Sequence, residues 1–205
     1  EYISENFVSD ASRQIVNGLI GCNTRKPADK AIAHRNLKAA SIFLTSNGCF
    51  KIAYFGCSRH LDEHRRVCTN IGTQLYMAPE MLNYELYRVK CDIWSLGCVL
   101  YELCTLVLPF MDEEYSRLRQ KIINYLAPDI PDRYSSDPRN MIGAMLSKDP
   151  CFNPSASDLD LFLTRVRIGN DRFVKYCVSK SGAILRRNMR ECASICYLNE
   201  SRIPS

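Results

Sequence analysis

The run from Asp92 to Leu106, DIWSLGCVLYELCTL, constrains this chain more than any other stretch, because it is apolar on nearly every side. A helix built from it has no face to offer water, so it must lie in the middle of a core with other elements packed around it. The surrounding apolar stretch, Ile93 to Leu108, is broken by Ser95 and Glu102 and halted by Pro109. That is too short and too interrupted to span a bilayer, and no transmembrane segment is expected. A chain of 205 residues can bury such a helix in one domain of moderate size.

The flanking sequence supplies the packing partners. Between Glu5 and Leu19, Phe7, Val8, Ala11, Ile15 and Leu19 recur at roughly helical spacing. Ile42-Phe43-Leu44-Thr45 and Cys49-Phe50-Lys51-Ile52 flank Asn47-Gly48, the signature of a hairpin. Residues 56–72 are polar and irregular, rich in Arg, His, Ser and Thr. After the apolar run, helices are expected over 112–125, over 136–146 with Pro138 in the first turn, and over 155–165, where Ser155 and Asp158 form a capping-box pattern. The fold class is therefore mainly α with one small β-hairpin.

Eleven cysteines are too sparse for a disulfide-stapled secreted domain, their number is odd, and no signal peptide opens the chain. A reduced, cytoplasmic location is expected. The chain opens on Glu1 rather than Met, which suggests a segment of a longer protein. Charge is unevenly placed: residues 1–164 carry 18 Lys and Arg against 19 Asp and Glu, whereas residues 165–205 carry 9 against 3.

Five segments in order point to a family. His34-Arg35-Asn36-Leu37-Lys38-Ala39-Ala40-Ser41 resembles the catalytic loop of protein kinases, and Ala53-Tyr54-Phe55-Gly56 stands where their Asp-Phe-Gly motif follows a hairpin. The segment from Gly72 to Glu80, GTQLYMAPE, resembles the end of an activation segment. The run from Asp92 resembles the central helix of the kinase C-lobe, and Lys148-Asp149-Pro150 with Pro154-Ser155-Ala156 resembles the approach to its last helix. The wording of 42–45, 98–106 and Pro109-Phe110 is similar to the NIMA-related (NEK) serine/threonine kinases. The resemblance implies a kinase-like C-lobe over 1–165, with the N-lobe absent from this chain, and a basic tail over 166–205 that holds at most one short helix.

The resemblance also exposes departures. Kinases use an Asp to accept the substrate proton and an Asn and a second Asp to hold Mg²⁺. Those positions fall on Asn36, Ser41 and Tyr54. An amide is no carboxylate base, which costs on the order of 10²- to 10⁴-fold in rate, and a neutral phenol is no hard-cation ligand. Lys38 matches the catalytic-loop lysine, but alone on a loop it is expected to be solvated. The retained set is structural: His34 and Phe55 match residues that stack together, Gly56 closes the motif, and Asp92 matches the residue anchoring the loop backbone. Arg35 matches an arginine that receives an activation-loop phosphate, for which Thr69 or Ser58 are the candidates. Glu80 would pair with an arginine where this chain has Asn153, leaving a carboxylate that is expensive to bury alone.

The resemblance thus implies a catalytically inactive, NEK-like pseudokinase that binds proteins as a scaffold, with active kinases or cytoskeletal proteins as partners and a cytoskeletal association. No cofactor is expected. The alternative is a weak or unconventional kinase with its N-lobe outside this chain, which would use ATP and Mg²⁺. His60, His64, Cys57 and Cys68 have spacings that fit no usual zinc ligand pair. Cys192 and Cys196 fall on an apolar helical stripe with Leu185 and Met189. The tail arginines form a solvated basic face or meet an acidic partner such as a tubulin tail, a membrane surface or RNA. Nothing favours DNA, since no aromatics interleave with the basic residues.

Overall fold

The computed structural model describes residues 2–23, 31–61 and 73–165. Its elements run α1 (Glu5–Asn23), β1 (Ala31–Ala33), β2 (Ile42–Leu44), β3 (Phe50–Ile52), β4 (Arg59–Leu61), α2 (Pro79–Leu82), α3 (Lys90–Thr105), α4 (Tyr115–Asn124), α5 (Ser136–Met145) and α6 (Ala156–Arg165). The fold is mainly helical, as expected from the pattern.

The apolar run becomes α3, and every residue from Cys91 to Cys104 is buried. It ends where Leu106 turns left-handed, φ 64°, and donates its N–H to the Glu102 carbonyl at 2.7 Å. Gly97 is required here by space: a Cβ at that position would lie 3.0 Å from side-chain atoms of Met145 and Leu146. The missing side chain thus lets α5 approach α3 closely. Trp94 and Phe110 stack in parallel at 5.9 Å, and Lys148 lies over both rings while its Nζ donates to the Ile122 carbonyl at 2.6 Å. Burial lowers the Lys148 ammonium to about 8.

Helix α1 presents Phe7, Val8, Ala11, Ile15 and Leu19 inward and packs on α6 and the hairpin. Phe7 meets Phe50 edge-on at 5.5 Å, and Gln14 Oε1 accepts the Phe50 N–H at 2.9 Å. The hairpin pairs Ile42 with Ile52 and Leu44 with Phe50, and Gly48 takes the positive φ of 83° that the turn requires. The Ser155–Asp158 cap forms in both directions: the Ser155 N–H donates to Asp158 Oδ2 at 2.8 Å, and the Asp158 N–H donates to Ser155 Oγ at 3.2 Å.

Three local differences from the sequence expectation have physical causes. A second antiparallel pair joins β1 to β4, so part of the stretch read as irregular is a strand held by backbone pairing. Helix α4 begins at Tyr115 rather than Asp112, because Asp112 accepts the Glu114 N–H at 3.0 Å and pairs with Lys121 at 2.9 Å, closing a turn before the helix. The short α2 starts at Pro79, whose ring suits a first helical position. No helix among the described residues is long and apolar enough to cross a membrane.

Candidate functional site

The loop between β1 and β2 is fixed from below by α3. Asp92, fully buried near the start of that helix, accepts the His34 N–H on Oδ2 and the Arg35 N–H on Oδ1, both at 2.8 Å. Burial raises its carboxyl above the usual range, against the pull of those two N–H donors. The anchor holds Arg35 in a left-handed conformation, φ 66°. Its guanidinium then reaches the Cys57 carbonyl through Nε at 2.7 Å and the Tyr87 hydroxyl at 3.5 Å.

His34 is a packing residue. Its Nε2 lies 2.9 Å from the Ala53 carbonyl, which can only accept, so Nε2 carries the proton. Its ring meets Phe55 edge-on at 4.8 Å. The two residues expected to stack therefore touch. Ser58 donates its hydroxyl to the His34 carbonyl at 3.4 Å, tying the segment after Phe55 back to the loop.

Above the anchor runs a polar chain that meets at Thr73. Lys38 Nζ donates to Thr73 Oγ1 at 2.7 Å, while the Thr73 hydroxyl and backbone N–H both donate to Asn36 Oδ1, at 3.2 and 3.0 Å. Lys38 is thus bonded within the site rather than solvated, because Thr73 brings an acceptor within its reach. Ser41 closes the loop on itself: its hydroxyl donates to the Lys38 carbonyl at 2.8 Å and accepts the Lys38 N–H at 2.9 Å. It is 1% exposed.

Tyr54 stands apart from this chain. It adopts φ 64°, a conformation costly for a bulky side chain, and is 66% exposed, with its ring tilted against Phe43 at 5.5 Å. Phe43 and Phe55 are also exposed, so three aromatic rings share this part of the surface. Gly56 has open space where a Cβ would go, so packing does not demand glycine there.

Glu80, in α2, is buried without a cation partner among the described residues. Desolvation lifts its carboxyl from 4.5 to about 6, opposed by its own backbone N–H and assisted by the negative charge of Glu85. Asn153, where the resemblance implied an arginine, is buried too; its Nδ2 donates to the Met145 carbonyl at 2.9 Å and its Oδ1 has no partner. Thr69, the side chains of His60 and His64, Cys68 and the tail arginines lie outside the described residues.

Thr73 is a site residue that the sequence analysis gives no role, because its contact with Lys38 spans 35 residues. Phe43, the partner of Tyr54, is missed as well. Alternation along a strand of three residues, with Ile42 inward and Phe43 outward, would have placed it on the open face.

Comparison with known proteins agrees with this geometry. The family described as Protein kinase domain matches residues 1–160. Among curated relatives, the human serine/threonine-protein kinase Nek2 is 36% identical over 78% of this chain and 36% of its own length. The G2-specific protein kinase nimA of Emericella nidulans is 34% identical over 78% of this chain and 26% of its own length, and mouse Nek11 is 39% identical over 64% and 21%. The chain spans about a third of the length of the first of these relatives and less of the others. With its catalytic-type loop pinned to a buried α3 and a match that covers most of its length, this chain belongs to the protein kinase family, on the NIMA-related branch.

Proposed function

We propose that this chain is a catalytically inactive kinase homologue that works as a protein-binding scaffold. The observation that carries the reading is the state of the three positions around the loop. Asn36 presents an amide oxygen that already accepts two hydrogen bonds from Thr73 and has no carboxylate basicity. Ser41 has its hydroxyl committed to the Lys38 backbone, and Tyr54 offers a neutral, exposed phenol. These residues do not fit a Mg²⁺ ion, whose hard charge calls for carboxylate and free oxygen ligands.

The scaffold reading draws further support from what is retained, since Asp92, His34, Phe55 and α3 preserve the frame. Under this reading the partners are proteins, active kinases or cytoskeletal proteins among them. Arg35 would receive a phosphate placed on Thr69, and mass spectrometry of the chain purified from cells, finding Thr69 always unmodified, would remove that role.

A second reading is a weak serine/threonine kinase completed by sequence outside this chain. It is favoured by the Lys38–Thr73–Asn36 chain of hydrogen bonds, which stays assembled. One experiment separates the two: transfer of labelled phosphate from ATP to a protein substrate, by the chain together with the sequence that completes its kinase domain. The scaffold reading expects none above background, and transfer that vanishes in Lys38→Met establishes the kinase instead.

A further inference from the structure

A cavity of about 570 Å³ opens between α3, α5 and the segment 127–132 that leads into α5, apart from the kinase-type loop. That volume lies within the usual range of ligand pockets. Tyr101 of α3 lines it and is itself 4% exposed. Burial raises the Tyr101 hydroxyl above the usual tyrosine range, and the negative charge of Asp129 adds to the rise, against the opposing hydrogen bond of Thr105. The carboxylate of Asp129 is therefore close enough to be felt at the buried hydroxyl.

The charges of the lining do not balance. Asp132 and Arg139 both line the cavity and neutralise each other at 2.6 Å, and Arg139 Nε also donates to the Ser135 carbonyl at 3.3 Å. Asp129 lines it too, is exposed, and has no hydrogen bond or ion pair among the described residues. The side chain of Asn140, on the same wall, also has none among them. At Gly143, which lines the cavity from α5, a Cβ would meet nothing within 4 Å, so the helix leaves that wall open. The cavity thus carries one uncompensated negative charge, a buried hydroxyl and an unused amide.

We propose that this cavity receives the arginine side chain of an extended segment of a partner protein. The occupant rests on the scaffold reading, and its chemistry follows from the lining. A guanidinium meets the free carboxylate of Asp129 with charge-assisted hydrogen bonds, and its remaining donors serve the Tyr101 hydroxyl and the Asn140 side-chain oxygen. Its aliphatic stem lies against Pro128 and Pro131, which line the same cavity. Asp129, Ser136, Asn140 and Gly143 are exposed at the mouth, so a chain can pass over the surface while its side chain enters.

The test is calorimetric titration of the full 205-residue chain with a capped alanine peptide that carries one central arginine. The same peptide with citrulline in place of arginine removes the charge and keeps the shape. Asp129→Asn removes an exposed carboxylate that holds no structural contact among the described residues, and Glu113→Gln removes an exposed one that does not line the cavity. The proposal expects binding at one site, weaker by about tenfold or more for the citrulline peptide and for Asp129→Asn, and unchanged in Glu113→Gln. Absence of saturable binding, or equal affinity for the citrulline peptide, overturns it. Equal weakening in the two variants assigns the attraction to net charge and overturns it as well. Agmatine, a free alkylguanidine, binding as tightly as the peptide assigns the cavity to a small amine and overturns the protein occupant. Phosphate transfer reads the scaffold reading separately, so lost peptide binding without transfer overturns the cavity proposal alone.

Discussion

Asp92 and Asn36 act on the same loop from opposite sides, and their surroundings differ. Asp92 is sealed from water and uses both carboxylate oxygens to hold the backbone of His34 and Arg35. Asn36 faces a half-open corner where Ser41 is turned inward and Tyr54 lies out on the surface. Beneath the loop, each oxygen of the Asp92 carboxylate has a backbone N–H partner. Above it, Lys38, Thr73 and Asn36 hold one another through hydrogen bonds. Under the scaffold reading, the buried anchor carries the frame and the residue types at the corner above it matter little to the fold.

Variants should separate these regions in proportion to burial. Asp92→Ala has the largest expected effect. It leaves two buried N–H groups unpaired, at about 1 to 3 kcal/mol each. A thermal melt should show the midpoint falling by about 10 °C, and an unchanged midpoint would mean that the anchor does not hold the loop.

Glu80→Gln should act in the opposite direction. With the folded-state carboxyl raised from 4.5 to about 6, the folded chain holds this proton more tightly than the unfolded chain does. The cost of Glu80 is absent below about pH 4.5 and fully present above about pH 6. The glutamine variant should therefore be more stable by about 2 kcal/mol at pH 7.5, with the gain disappearing near pH 4.5. Denaturant melts at the two pH values check this, and a gain independent of pH would break the link to ionisation.

Gly97→Ala should lose about 1 to 2 kcal/mol in the same melts, because its Cβ would press on Met145 and Leu146 and outweigh the better helix propensity of alanine. Tyr54→Asn, on the open side, has the smallest expected effect. Relief of the left-handed backbone offsets the lost ring contact with Phe43, and the net gain should be under about 1 kcal/mol. A large loss there would show that the corner carries structural weight.

How much was legible beforehand follows from the same physics. Helix α3 was plain because a run apolar on all sides has one stable location, and the hairpin was plain because Asn47-Gly48 marks its turn. The β1–β4 pair was invisible, since three-residue strands held by backbone bonds leave no side-chain period to read. The start of α4 was missed because the local pairing of Asp112 with Lys121 competes with the helix. At the site, the identities of Asn36, Ser41 and Tyr54 were readable by resemblance. The role of Thr73 was not, because it depends on a contact across 35 residues with Lys38.

Thermal unfolding of the chain alone, with ATP and Mg²⁺, and with ATP and a chelator tests the central claim most directly. A ligand at about a hundred times its dissociation constant adds about 2.7 kcal/mol, which for a chain of this size raises the midpoint by about 5 to 10 °C. The scaffold account predicts one cooperative transition that stays in place under all three conditions. A rise of that order that requires Mg²⁺ would contradict it.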